Sequence, residues 1–144
     1  MKPAFEGTAL VSLDAKGRFA VPALFRDALF GASACREVVL VRHPDGCLVV
    51  YPREAWLEKR AQLAALPFSA RAFVRLVLGS ARTVAPDAAG RILVPADLRT
   101  LAGLERSAAL IGLGGHLELW PREAYDAMQA EAFKLPLDTA DFTF

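Results

Sequence analysis

Two short stretches hold the residues best suited to chemistry. Residues 14–26 read DAKGRFAVPALFR and residues 87–99 read DAAGRILVPADLR. Each sets an Asp three positions before a Gly-Arg pair and closes on a Pro: Asp14, Gly17, Arg18 and Pro22 in one, Asp87, Gly90, Arg91 and Pro95 in the other. Asp-x-x-Gly-Arg reads as a tight turn, because Gly tolerates positive φ and Asp accepts backbone hydrogen bonds. An Arg held at such a turn presents a planar fork of donors that fits a phosphate or the edge of a nucleic-acid base. It can equally pair with the Asp of its own turn, and the two uses are compatible if the Asp pre-orients the guanidinium. Lys16 adds a cation to the first turn, as a phosphate contact or as a solvated turn residue. The second turn has Ala89 there, so the two halves can contribute unequally.

These turns belong to a longer repeat. At an offset of 73, identities also fall at Ala15/Ala88, Val21/Val94, Ala23/Ala96 and Arg26/Arg99. A second block, GCLVVYPREAW at 46–56, matches GHLELWPREAY at 115–125 at an offset of 69. Two blocks in the same order, with one small change in spacing, exclude chance as an explanation.

The elements that must position the turns follow from local pattern. Thr8, Leu10 and Ser12 alternate with Ala9, Val11 and Leu13, which is a strand leading into the first turn. Phe19-Ala20-Val21 and Ile92-Leu93-Val94 are short returning strands. Pro22 and Pro95 sit where a helix begins, at a position whose N–H is spare, and Gly31 and Gly103 end those helices. Strands at 38–41 and 108–111, a Gly-containing turn, and strands at 47–51 and 116–120 complete each copy. Between the copies, 53–65 is helical, Pro67 breaks it, and Ser69 caps a further helix to Gly79. A matching helix runs from 122 to about 133, and the acidic end beyond it is expected to fray.

The order per copy is β-turn-β-α-β-turn-β. The implied division is module 1 at 5–56, a helical linker at 57–79, module 2 at 80–125, and a helix end with acidic tail at 126–144. One such copy buries too little surface to stand alone. The expectation is an α+β, mainly β fold. Strands of one copy complete the sheet of the other about a pseudo-two-fold axis, forming a small closed or split β-barrel flanked by helices.

Other reactive residues read as structural. Arg26 and Arg99 are better explained by an ion pair or a solvated helix face than by an external contact. Arg71 and Arg75 form the polar face of the linker helix. Tyr51, Trp56, Trp120 and Tyr125 suit core or interface packing. Glu54 and Glu123 sit in helix first turns, which favour acids. His116 aligns with Cys47, so this position reads as a tolerant strand site, and neither a shared metal with His43 nor a Cys-His nucleophile pair is expected. No Walker A sequence, GxSxG or HExxH occurs. The expectation is a protein that is not an enzyme and uses no cofactor, metal or small-molecule substrate.

The formal charge is only +1, but five acids and one base lie in residues 123–144, leaving 16 Lys+Arg against 11 Asp+Glu before them. That mild basic bias is compatible with phosphate binding. Cys35 and Cys47 form no CxxC, and no signal peptide or apolar run long enough for a membrane is evident, so a reducing cytoplasm and no membrane partner are expected.

DAKGRFAVP and DAAGRILVP, with YPREAW and WPREAY downstream, resemble the SpoVT-AbrB (swapped-hairpin) module. Two copies in 144 residues, opening with Phe5-Glu6-Gly7, resemble the bacterial MraZ family over roughly residues 5–133. The resemblance implies a nucleoid-associated transcriptional repressor of the division and cell-wall gene cluster. It also implies ring-shaped homo-oligomers on double-stranded DNA with short direct repeats. The family's Asp-x-x-x-Arg signature falls on Asp14 and Arg18, and on Asp87 and Arg91. A protein-interaction module, antitoxin-like or scaffolding, is the competing reading. It is disfavoured because a full second copy stands where a partner-binding tail would be.

Hydrophobic residues make up 54% of the chain, more than two small modules need, and the excess suits subunit interfaces. Light scattering at micromolar concentration is expected to return a multiple of the 15.5 kDa chain mass; a value near 15.5 kDa itself would rule out assembly.

Overall fold

The computed structural model describes residues 4–31, 36–134 and 136–144. The first copy contains β1 (Thr8–Ser12), β2 (Arg18–Ala20), α1 (Ala23–Phe30), β3 (Val38–Arg42) and β4 (Leu48–Pro52). Next come α2 (Arg53–Ala64), a 3-10 turn (Phe68–Ala70), α3 (Arg71–Val77) and a second 3-10 turn (Leu78–Ser80). The second copy contains β5 (Arg82–Val84), β6 (Arg91–Leu93), α4 (Ala96–Ala102), β7 (Ser107–Gly112), β8 (Leu117–Pro121) and α5 (Arg122–Ala132). The α+β, mainly β class expected from the sequence is present.

Proline sets the strand-to-helix junctions. Pro22, Pro52, Pro95 and Pro121 each occupy the residue before a helix in an extended conformation, with ψ between 141° and 149°. Lacking an N–H, proline ends a strand without forfeiting a ladder bond, and its fixed φ admits the chain to the helix that follows. Ser69 does not cap a helix. It lies inside the 3-10 turn, and α3 starts after Ala70 with no side-chain cap.

Six strands form one antiparallel sheet in the order β1-β7-β8-β4-β3-β5, and β2 and β6 form a separate two-stranded ribbon. Exchanging the copies reverses the six-strand order into itself, so the pairing scheme is symmetric. Thus β1 of the first copy pairs with β7 of the second, β5 of the second pairs with β3 of the first, and β4 meets β8 at the centre. No closed barrel forms among the described residues. Strands β1 and β5 are the two edges of the sheet, and the other strands of the described residues, β2 and β6, are three residues long and spend their ladder on each other. Strands this short, each closed by proline, cannot bridge the two edges.

The main core lies between the sheet and the ribbon. Phe19, Val21 and Phe25 of the first copy pack with Ile92, Val94 and Leu98 of the second, all at most 1% exposed. A smaller core of Val39, Val41, Val49, Trp56 and Val77 lies on the opposite sheet face beneath α2 and α3. Strands β3 and β4 are therefore buried on both faces and read as near-continuous apolar runs. No single helix among the described residues is long and apolar enough to cross a membrane; residues 53–64 and 68–80 pass that test only as a pair bent by 119°.

A chain ending at residue 79 would keep β1 and β2 but lose β7 and β6, the strands that pair with them. Such a fragment is expected to show no cooperative thermal transition by circular dichroism, and adding residues 80–144 in trans should restore one. A cooperative transition in the fragment alone would show that the copies fold separately.

Candidate nucleic-acid interface

The two Asp-x-x-Gly-Arg segments fold into near-identical turns. In the first, Asp14 Oδ1 accepts the Lys16 N–H at 3.0 Å and the Arg18 N–H at 2.9 Å, while Oδ2 accepts the Arg18 Nε–H at 2.8 Å. In the second, Asp87 Oδ1 accepts the Ala89 N–H at 3.0 Å and the Arg91 N–H at 2.9 Å, and Oδ2 accepts the Arg91 Nε–H at 2.9 Å. Backbone bonds close each loop: Asp14 and Arg18 are linked N–H to carbonyl, as are Asp87 and Arg91. Gly17 and Gly90 take φ of +88° and +77°, which explains glycine at both positions. Because only the backbone N–H of Lys16 and Ala89 enters the turn, its side chain is free to differ between copies.

The Arg18 N–H holds the Asp14 carboxyl below the ordinary carboxylate value; partial desolvation opposes it, and the Arg18 guanidinium and the Lys16 N–H reinforce it. The Arg91 N–H does the same for Asp87, with help from the Arg91 guanidinium and the Ala89 N–H. Each arginine spends its Nε on its own aspartate. That choice fixes the plane of the guanidinium and leaves its Nη groups as the donors for any further acceptor.

The ribbon sets the turns side by side. Arg18 opposes Leu93 and Arg91 opposes Ala20 in the β2–β6 register. The ladder continues past the strand ends, with Val94 N–H donating to Gly17 carbonyl at 2.9 Å and Val21 N–H to Gly90 carbonyl at 3.3 Å. Arg91 Nη1 comes within 3.9 Å of Asp14 Oδ2, so one turn reaches the carboxylate of the other. All four charged side chains remain about a third exposed, at 28–38%. Lys16 is exposed beside them.

Arg26 and Arg99 have a different task from the one expected. Neither forms an ion pair among the described residues. Arg26 Nη2 donates to Val21 carbonyl at 3.0 Å and Arg99 Nε donates to Val94 carbonyl at 3.0 Å, in each copy the residue before the helix-starting proline. Arg99 also lies over Gly17, where a Cβ would come within 2.4 Å of its Nε; nothing lies within 4 Å of the equivalent point at Gly90. Arg71 and Arg75 are exposed on α3, as a polar face requires. Tyr51 packs on Trp56 with ring centroids 5.6 Å apart, and Trp120 is 8% exposed. Glu54 and Glu123 occupy the first turns of α2 and α5.

A second cluster was not foreseen. Donor atoms of His43, Cys47 and Glu118 all lie within 4.8 Å of one another. Cys47 is buried, and that burial, with the Glu118 and Asp45 carboxylates adding to it, pushes its thiol up to about 12. Burial also lowers His116, against the pull of Glu118. Aligning Cys47 with His116 hides this grouping, because its third member comes from the neighbouring strand. Cys35 lies outside the described residues.

The chain is thus an internally duplicated α+β protein whose two halves share one ribbon and present two aspartate-clamped arginines on the face of it that turns away from Phe19 and Ile92. A family model of the MraZ protein, whose description compares it with antitoxins, matches residues 4–76 and 77–143. The "Transcriptional regulator MraZ" of Bordetella pertussis is 49% identical over 127 residues, covering 88% of this chain and 89% of that protein. Regulators of the same name from an Acidovorax species and from Burkholderia cenocepacia are each 46% identical over 142 residues, covering 97% of this chain and 99% of theirs. The chain belongs to the MraZ family, and the relatives' shared name supports a role as a transcriptional regulator.

The unequal surroundings of the two glycines have a measurable result. A Cβ in left-handed backbone costs about 1–2 kcal/mol, so Gly90→Ala is expected to lose roughly that much stability. Gly17→Ala is expected to lose more, because Arg99 must also give way. Urea titrations of the two variants test this, and equal losses would contradict it.

Proposed function

We propose that this protein is a sequence-specific DNA-binding repressor of its own division and cell-wall gene cluster promoter, acting as a ring-shaped homo-oligomer on short direct repeats. The observation that carries the reading is the pair of turns. Two guanidinium planes, each locked by an ionised aspartate, stand on one face of the β2–β6 ribbon, with Arg91 within 3.9 Å of Asp14 and Lys16 exposed in the first turn. Guanidinium edges fit the guanine O6/N7 pair or a phosphate, and locking them beforehand lowers the entropy lost on binding. Arg18 and Arg91 are the proposed reading heads and Lys16 a phosphate contact. Asp14 and Asp87 are positioning residues, and Gly17, Gly90, Pro22 and Pro95 hold the loop and its exit. The site calls for no cofactor, and the proposed setting is the cytoplasm, on the nucleoid.

Assembly follows from the size of the contact. One good bidentate contact discriminates by about 1–3 kcal/mol, too little to select one promoter in a genome. Linking several subunits to successive repeats can add about 10²–10⁴ to affinity. Exposed apolar side chains outside the turns, including Leu24, Phe68, Phe73 and Leu101, offer surface for subunit contacts.

The test is titration of wild type, Arg18→Ala, Arg91→Ala and the double variant on DNA from upstream of the gene, carrying one, two or three repeats near 10–10.5 base pairs apart (about one helical turn). Affinity is expected to rise with repeat number and to collapse in the double variant while oligomer mass is unchanged. Arg18→Ala should be the more damaging single change, since only its turn carries Lys16. A double variant that assembles and binds three repeats like wild type would remove these arginines from the site. The family description's comparison with antitoxins favours one alternative, a protein-interaction module without DNA activity. An intact oligomer that fails to shift upstream DNA at any repeat number would support it.

A further inference from the structure

We propose that His43, Cys47 and Glu118 are the ligands of a first-row transition-metal ion, with Zn(II) the ion their donor set favours. The proposal does not depend on the reading of the turns, and it departs from the sequence expectation of no metal. Sheet register builds the site. Val41 opposes Val49 in the β3–β4 pair, and Val49 opposes Glu118 in the β4–β8 pair. Directly opposed residues share a face, and so do residues two apart on one strand. His43, two beyond Val41, and Cys47, two before Val49, therefore project on the same side of the sheet as Glu118. The hairpin turn joins them: His43 N–H donates to Cys47 carbonyl at 3.0 Å, and Gly46, at φ +96°, lets the chain reverse between them.

The three donors differ in type but suit one ion. Thiolate, imidazole and carboxylate are the three side chains that bind Zn(II), and tetrahedral bonds of about 2.0–2.3 Å place ligand atoms about 3.3–3.8 Å apart. Mutual distances within 4.8 Å ask for closure of an ångström or so, within reach of the half-exposed His43 and Glu118 side chains. Three protein ligands leave the fourth position to solvent, and His43 also lines a cavity of about 370 Å³ with Tyr51, Leu63 and His116.

Outer contacts are in place as well. Trp120 Nε1–H donates to Glu118 Oε1 at 2.8 Å, which orients the carboxylate, and His43 Nδ1 accepts the Asp45 N–H at 3.0 Å, so the ring's lone pair is on Nδ1, where an ion would take the place of that bond. Such outer partners fix ligand orientation at metal sites. A buried thiolate beside a carboxylate is unfavourable without a compensating positive charge. A divalent ion supplies that charge, and the thiol proton leaves to solvent as the metal–sulfur bond forms.

The experiment is Co(II) titration of the chelator-treated full chain, followed by Zn(II) competition. Wild type is expected to bind one Co(II) per chain, with a thiolate-to-metal charge-transfer band and tetrahedral visible bands that Zn(II) removes. His43→Gln and Glu118→Gln are expected to weaken binding by at least ~10-fold, the loss that even outer-contact changes produce. Cys47→Ser should abolish the charge-transfer band, and Cys35→Ser should keep it. Circular dichroism of the two glutamine variants, at positions that are not fully buried, confirms that they fold even if Cys47→Ser does not. No thiolate band in wild type, a band lost in Cys35→Ser, or affinity unchanged in both glutamine variants would overturn the site.

Discussion

Phe19 and Ile92 face each other across the β2–β6 ladder, both essentially inaccessible to solvent, and the rest of the structure depends on that one antiparallel contact. Three residues per strand make a poor ladder on their own. What fixes it is the apolar side it buries, where Val21 and Val94 continue the two strands into the core. Once those side chains face inward, the register is no longer free, since a slip of one residue would turn them to solvent. The register then dictates where the turns stand, because each strand begins where its turn ends. The outward face of the ribbon, with four charged groups on it, is thus a result of hydrophobic packing below.

The carboxylates do two jobs at those turns. Each satisfies two backbone N–H groups that a reversing chain leaves unpaired, and each holds a guanidinium in one plane. Because both are stabilised in the ionised form, the clamp stays charged wherever the protein is folded near neutral pH. Arg26 and Arg99 work at the opposite end of the same short strands. They satisfy the carbonyls of Val21 and Val94, which open toward the helices because the next residue is proline. The most local part of the chain therefore carries side-chain hydrogen bonds at both ends, as a segment with so few ladder bonds requires.

Much of this was legible in the sequence. The duplicated Asp-x-x-Gly-Arg-x-x-x-Pro placed both turns, and its period placed the strands and helices to within a residue or two. Pairing across copies followed from the small size of each. What could not be read were features that depend on long-range register. Closure of a barrel turns on whether β2 and β6 have residues to spare for a third strand, and three-residue strands do not. Ser69 has the chemistry of a cap, yet Pro67 leads into a 3-10 turn that uses it internally. Arg26 and Arg99 looked like surface charge because their acceptors are backbone carbonyls, which carry no sequence signature. A role for His43 and Cys47 was set aside and Glu118 was missed because comparing equivalent positions compares each residue with its counterpart, whereas the sheet sets it against a different one.

The fusion of two copies into one chain gives the ribbon a head and a tail. A pair of identical modules related by a true two-fold axis presents the same face either way round. Here Lys16 stands on one side only, Arg99 closes over Gly17 while the space at Gly90 is open, and α3 covers one half of the sheet and not the other. The surface therefore distinguishes one direction along the ribbon from its reverse, a distinction that a symmetric dimer has no means of making.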